Sequence, residues 1–127
     1  MATDEERRAK GREILKKLGR DTGKKGKGED EAFDEFAEMT LETIWGGLYA
    51  REGMSLRDRE LITMAVAIAT GADFDRLYHH FKNAHLLGIT DQEIREMIYT
   101  TMFYAGWPKG ASAIRSFNRV KAGEERL

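Results

Sequence analysis

Thr90-Asp91-Gln92-Glu93-Ile94-Arg95-Glu96-Met97-Ile98-Tyr99-Thr100-Thr101-Met102-Phe103-Tyr104-Ala105 decides the fold class of this 127-residue chain. Thr90 with Glu93 three residues on is a capping box. The hydroxyl and the carboxylate each satisfy a backbone N–H that the start of a helix leaves open. Behind the box, Ile94, Met97, Ile98, Thr101, Met102 and Ala105 recur at three- and four-residue steps, so they share one helical face. Gly106-Trp107-Pro108 breaks that helix. Pro108 suits the first turn of another, running to about Val120, because a first-turn residue needs no N–H partner.

Upstream, the same logic repeats. Gly88 suits the position just past a helix that starts at Asp73 and runs to about Leu87. Ser55, with Asp58 three residues on, is placed as the N-cap of a helix from Leu56 to about Thr70, which Gly71 ends. That helix is apolar nearly all round after Glu60, which predicts a place at the centre of a bundle. Phe33, Phe36, Met39, Thr40, Thr43, Ile44 and Leu48 mark a helix from Glu31 to Tyr49, with Gly46-Gly47 weakening its last turn. Asp4 to Leu18 reads as a short helix carrying Ile14, Leu15 and Leu18. Between these two, Arg20 to Asp30 holds four basic residues and three glycines, a solvated connector. The expectation is an all-α, single compact domain of about six helices over residues 1–127, in which residues 1–30 are an N-terminal helix and a basic Gly/Lys connector.

Composition narrows the function classes. Hydrophobic residues are 41% and charged residues 34%, a balance that suits a folded, helix-rich globule. The formal net charge of -1 gives no reason to expect nucleic acid or an anionic membrane as partner. The longest apolar run, Leu61 to Ala69, is interrupted by Thr63 and is too short to span a bilayer. Met1 to Glu6 shows no basic stretch leading into an apolar one, so the expected location is the cytoplasm. With no cysteine there is no disulfide, thiolate metal ligand or thiol nucleophile.

A few residues are candidates for chemistry. His80 stands three residues after Leu77 and four before Ala84, on the core-facing stripe of its helix, while His79 and Lys82 point away. An imidazole placed there is a candidate acid or base; a satisfied core histidine is the plainer alternative. His85 shares a face with Tyr78 and Phe81 and reads as a packing or rim residue. The three histidines make no i, i+4 pair, so no metal site is expected. Glu60 is the last charge before the apolar run, either partly buried or a first-turn carboxylate favoured by the helix dipole. Arg51, Arg57 and Arg59 cluster about a helix start and could clamp a carboxylate, although a solvated basic edge is the default. Lys109 could meet an anion near a helix N-terminus. Trp45, Trp107, Phe103 and Tyr104 are more often core than pocket. No Gly-rich phosphate loop, G-x-S-x-G or H-E-x-x-H occurs.

Three blocks within Phe33 to Phe117 resemble the carboxymuconolactone decarboxylase family. The first is Trp45-Gly46-Gly47-Leu48-Tyr49-Ala50-Arg51, followed by Leu56-Arg57-Asp58-Arg59-Glu60-Leu61-Ile62-Thr63. The second is His80-Phe81-Lys82-Asn83-Ala84-His85-Leu86-Leu87-Gly88-Ile89-Thr90-Asp91-Gln92-Glu93-Ile94, similar to the family's His, Ala and Gly four apart, then Thr and Glu-Ile. The third is Tyr104-Ala105-Gly106-Trp107-Pro108. The resemblance implies the helical array of the alkylhydroperoxidase-D type superfamily. That superfamily's redox branch carries Cys-x-x-Cys where this chain has Asp73 and Arg76, so a dithiol peroxidase is excluded by chemistry. Glu60 falls at that branch's proton-relay glutamate and His80 at the shared histidine.

The resemblance also implies a reaction. 4-Carboxymuconolactone loses CO2 to give the enol-lactone of 3-oxoadipate, a step in aromatic-acid breakdown that needs no cofactor. His80 would be the proton donor, Glu60 its partner, and Arg51 or Arg59 would hold a substrate carboxylate, with Trp45 and Trp107 at the substrate. The partners implied are a small carboxylate or lactone and further copies of the chain, as a trimer or hexamer. Lys109-Gly110 departs from the small alanines more usual after Trp107-Pro108. The alternatives are proton transfer on a related enolisable acid, and a non-catalytic oligomeric binding protein on the same scaffold.

Overall fold

The computed structural model describes residues 2–20 and 31–126, with side chains from residue 34 in the second stretch. Residues 21–30 of the basic connector, and the Phe33 side chain, lie outside the described residues. The fold is all-α: six α-helices, with no strand among the described residues. None of these helices is long and apolar enough to cross a membrane. The chain divides into two units, Met1–Met54 and Ser55–Leu127.

The first unit holds α1 (Asp4–Lys17), α2 (Glu31–Thr40) and a π-helical segment, Leu41–Leu48. Thr3 and Glu6 form a capping box at the start of α1. Ile14, Leu15 and Leu18 are buried, as their short stripe predicts. The expected helix from Glu31 to Tyr49 has the right span, but its second half is π-wound: the Tyr49 N–H donates to the Ile44 carbonyl five residues back, at 2.8 Å. Gly46 and Gly47 make α-winding cheap to give up there. The glycines also serve packing. A Cβ on Gly46 would stand 1.8 Å from the Arg7 carbonyl oxygen, and one on Gly11 2.7 Å from that of Leu41. The two helices therefore meet backbone to backbone.

The second unit holds α3 (Leu56–Ala69), α4 (Phe74–Asn83) with a 3₁₀ turn at Ala84–Leu87, α5 (Asp91–Ala105) and α6 (Trp107–Lys121). Its boundaries follow the local chemistry. Ser55 and Asp73 accept from the N–H groups of Asp58 and Arg76, both at 3.1 Å. The Thr90–Glu93 capping box forms as expected. Gly88 at φ 76° and Gly106 at φ 116° turn the chain where a side chain would be strained. Met64, Ile68, Leu77, Phe81, Ala84, Ile89, Ile94, Ile98, Ala113 and Phe117 form the core, with Phe81 and Phe117 edge to face at 5.4 Å.

Two expectations fail here. Helix α3 packs against α4, α5 and α6, but it is not buried all round: Ile62 and Val66 are 50% and 56% exposed. A helix that is apolar nearly all round cannot say which of its faces the same chain covers. Nor do Phe103, Tyr104 and Trp107 join the core, being 78%, 92% and 67% exposed.

Candidate active site

Glu60 sits in the second turn of α3 and His80 in the last turns of α4. Leu77, Phe81 and Ala84 turn the same face of the α4 segment into the core, and Met64 holds the matching place on α3. The two polar side chains are carried inward by that apolar periodicity, and they meet: His80 Nδ1 contacts Glu60 Oε1. Their side chains are 11% and 5% exposed. An ionised carboxylate can only accept, so in that state Nδ1 carries the hydrogen and the ring is held in a defined orientation. A buried carboxylate without such a donor would be costly.

The other sequence candidates are scattered. Arg59 is half-buried on α3, one residue before Glu60 and so turned about 100° from it around the helix. Arg57, a candidate clamp, is ion-paired with Glu93 of α5 and stands 3.6 Å from Asp58. Lys109 donates to the Ala69 carbonyl at 2.7 Å, closing the C-terminus of α3. His85 is exposed, its Nδ1 3.0 Å from the Lys82 carbonyl. Lys82 lies 2.9 Å from the Tyr78 hydroxyl, a hydrogen bond that holds its ammonium above the ordinary value. Trp107 is tilted against Phe103 at 6.4 Å.

In the first unit, Trp45 stacks on the buried Tyr49 at 4.8 Å, with the Arg20 guanidinium 5.2 Å from its ring centre. Arg51 is exposed, its backbone N–H on the Leu48 carbonyl at 3.2 Å. Three cavities in the second unit, of about 460, 570 and 250 Å³, are walled by residues other than Glu60 and His80. Among the described residues, no three His, Asp or Glu side chains converge as a metal site would need.

Residues 34–118, which include both Glu60 and His80, match the model of the carboxymuconolactone decarboxylase family. This chain belongs to that family. Among its relatives, a 4-carboxymuconolactone decarboxylase from Acinetobacter baylyi is 30% identical over 86 residues, 68% of this chain and 63% of the relative. A nitrosuccinic acid decarboxylase, npaB, from Metarhizium robertsii is 31% identical over 77 residues, 61% of this chain and 53% of the relative. The chain thus spans less than two-thirds of the length of either. Helix α1 lies outside the stretch matched to the family model.

Sequence reasoning missed Arg115 and Ser116, which face the 460 Å³ cavity. The signal was available: Pro108, Ser112, Ser116 and Arg119 stand at helical spacing along one side of α6. No motif marks them, because the opposite wall comes from the distant link between α3 and α4.

Proposed function

We propose that this chain is a cofactor-free decarboxylase of a small carboxylated lactone, such as 4-carboxymuconolactone, releasing CO2 and the enol-lactone of 3-oxoadipate. The observation that carries the proposal is the buried His80–Glu60 contact, in a family with two relatives named as decarboxylases. The bond to the departing carboxylate breaks and its electron pair becomes a new ring double bond. The ring alkene's own pair moves toward the lactone carbonyl, whose oxygen takes the charge. The resulting dienolate then takes up one proton at carbon. No external electron sink is required.

The protein's task is to orient a dianion, stabilise the enolate oxygen and deliver that proton. Glu60 commits Nδ1 of His80, so Nε2 is the nitrogen that delivers it, and solvent later restores it. Within the second unit, Arg59, next to Glu60 on α3, is the candidate to hold the carboxylate that stays. Further copies of the chain, as a trimer or hexamer, would cover exposed apolar side chains such as Ile62, Val66 and Trp107. Sedimentation velocity measures that assembly.

The nitrosuccinic acid relative favours a second, wider substrate class. A nitro group beside the departing carboxylate accepts the electron pair as a lactone carbonyl does through its alkene. The common requirement is a small dicarboxylic acid whose carboxylate leaves into a conjugated acceptor.

The test is incubation with 4-carboxymuconolactone, with CO2 measured directly. Wild-type protein should release it, and His80→Ala, checked for fold by circular dichroism, should turn over about a hundredfold more slowly or worse. No CO2 from the wild type, or equal turnover in the variant, overturns the proposal. Release from nitrosuccinate alone selects the wider class.

A further inference from the structure

The cavity of about 460 Å³ in the second unit lies where α6 passes the link between α3 and α4. Its apolar walls include Ile68, Ala72, Phe74 and Pro108, and Lys109, Arg115 and Arg119 bring three cations to it. The acid on its wall, Asp73, is turned to capping, accepting from the Arg76 N–H at 3.1 Å. Arg119 is held by Glu124 at 2.9 and 2.5 Å and lies 3.8 Å over the Phe74 ring, and Lys109 is spent on Ala69. Arg115 is different. It is exposed, and no acid or carbonyl among the described residues pairs with it.

Ser116 supplies the second observation. It is 7% exposed, it lines the cavity, and no protein group among the described residues hydrogen-bonds its hydroxyl. The side chain is largely buried, but its oxygen keeps access to the cavity and is free to donate to a ligand there. A hydroxyl open to the cavity and an unpaired guanidinium on its wall, beside hydrocarbon, match an amphipathic anion. A fork of N–H donors suits a carboxylate, and Ile68, Phe74 and Pro108 suit the carbon skeleton behind it.

We propose that this cavity is a binding site for a small organic carboxylate, held by Arg115 and Ser116, separate from the His80–Glu60 pair. Phe74 and His80 are six residues apart on α4, roughly 9 Å along the helix axis. The cavity's lining includes neither Glu60 nor His80, so a carboxylate held here is not the group being cleaved. The site does not rest on the decarboxylase proposal, because it draws on neither His80 nor Glu60.

Succinate is the probe, titrated into ¹⁵N-labelled full-length protein with amide shifts as the readout. Neutral succinamide and inorganic phosphate are the comparison arms. Succinate should give saturable shifts at Phe74, Ser112 and Ser116, and succinamide none. Arg115→Gln should weaken the affinity about tenfold and Ser116→Ala severalfold. His80→Ala should leave it unaltered, which separates this result from the CO2 assay. Arg115 is exposed, so its replacement leaves the packing in place. Absence of saturable shifts at those amides, or equal affinity in Arg115→Gln, overturns the site. Phosphate binding more tightly than succinate overturns the organic carboxylate as its ligand.

Discussion

Where α1 meets the π-helical segment, backbone lies against backbone; where α3 meets α4, two ionisable side chains stand between the helices. The first contact is specified by what is absent, the Cβ atoms of Gly11 and Gly46. The second is specified by what is present, a carboxylate and an imidazole with one hydrogen bond between them. The difference predicts how each contact fails. A steric contact rejects any added atom and is indifferent to protonation. A polar contact tolerates a change of shape and fails when a donor or acceptor is lost.

The sharpest way to break the comparison is Gly46→Ala. With the new Cβ 1.8 Å from a backbone oxygen, no rotamer can relieve the clash and the helices must part. A loss of about 3 kcal/mol or more in urea denaturation is expected, at the upper end of overpacking effects. Gly53→Ala is the control, because nothing lies within 4 Å of its added carbon. It should change stability by less than about 0.5 kcal/mol. Equal stability in the two variants would mean that the backbones do not touch.

On the polar side, His80→Ala should destabilise the protein by about 1–3 kcal/mol, since it takes the imidazole from a buried carboxylate. His80→Gln separates structure from chemistry. An amide can still donate to Glu60, so part of the stability should return. It cannot exchange a proton, so turnover should stay as low as in His80→Ala. Recovery of turnover together with stability would make His80 a structural residue only.

The sequence showed the polar contact better than the steric one. Periodicity alone turned His80 inward, because Leu77 and Ala84 fix the face on which it stands. Glu60 was half legible: a charge bordering an apolar run can lie on either side of the boundary, and only the packing of α4 against α3 buries it. Gly46 reads in the sequence as a weak point in a helix. Its role in a crossing depends on Arg7, far away in sequence, and on no local pattern. The same limit hid the pairing of Arg57 with Glu93, the exposure of Ile62 and Val66 on α3, and the cavity at Ser116. Caps needed no such information, since Thr90 and Glu93 are three residues apart and act on the same turn. Thr90→Ala should accordingly cost about 1 kcal/mol of thermal stability, read by calorimetry, without altering turnover. A larger loss would show that the Glu93–Arg57 pair depends on the cap.

The surface offers the weakest form of the polar contact. Arg119 and Glu124 form two hydrogen bonds in full view of solvent. The bond from Arg119 is the main cause that holds the Glu124 carboxyl below its ordinary value of 4.5, with their mutual attraction adding to it and partial desolvation opposing it. A carboxyl depressed in the folded state contributes stability above its unfolded pKa and loses that contribution as pH falls through the folded one. The pair's effect should therefore be complete at neutral pH and fade below about pH 4.5. Glu124→Gln should lower the melting temperature slightly at pH 7, and the gap from wild type should close on acidification or in 1 M salt (order of magnitude, where the Debye length is about 3 Å). The shift should be the smallest of those predicted, because exposed side chains give up little water contact and are screened. Thermal melts of both proteins at pH 7 and at about pH 3 measure the gap. A gap at pH 7 as wide as that of His80→Ala, or one that widens in acid, would mean that burial is not what separates the inner contact from the outer.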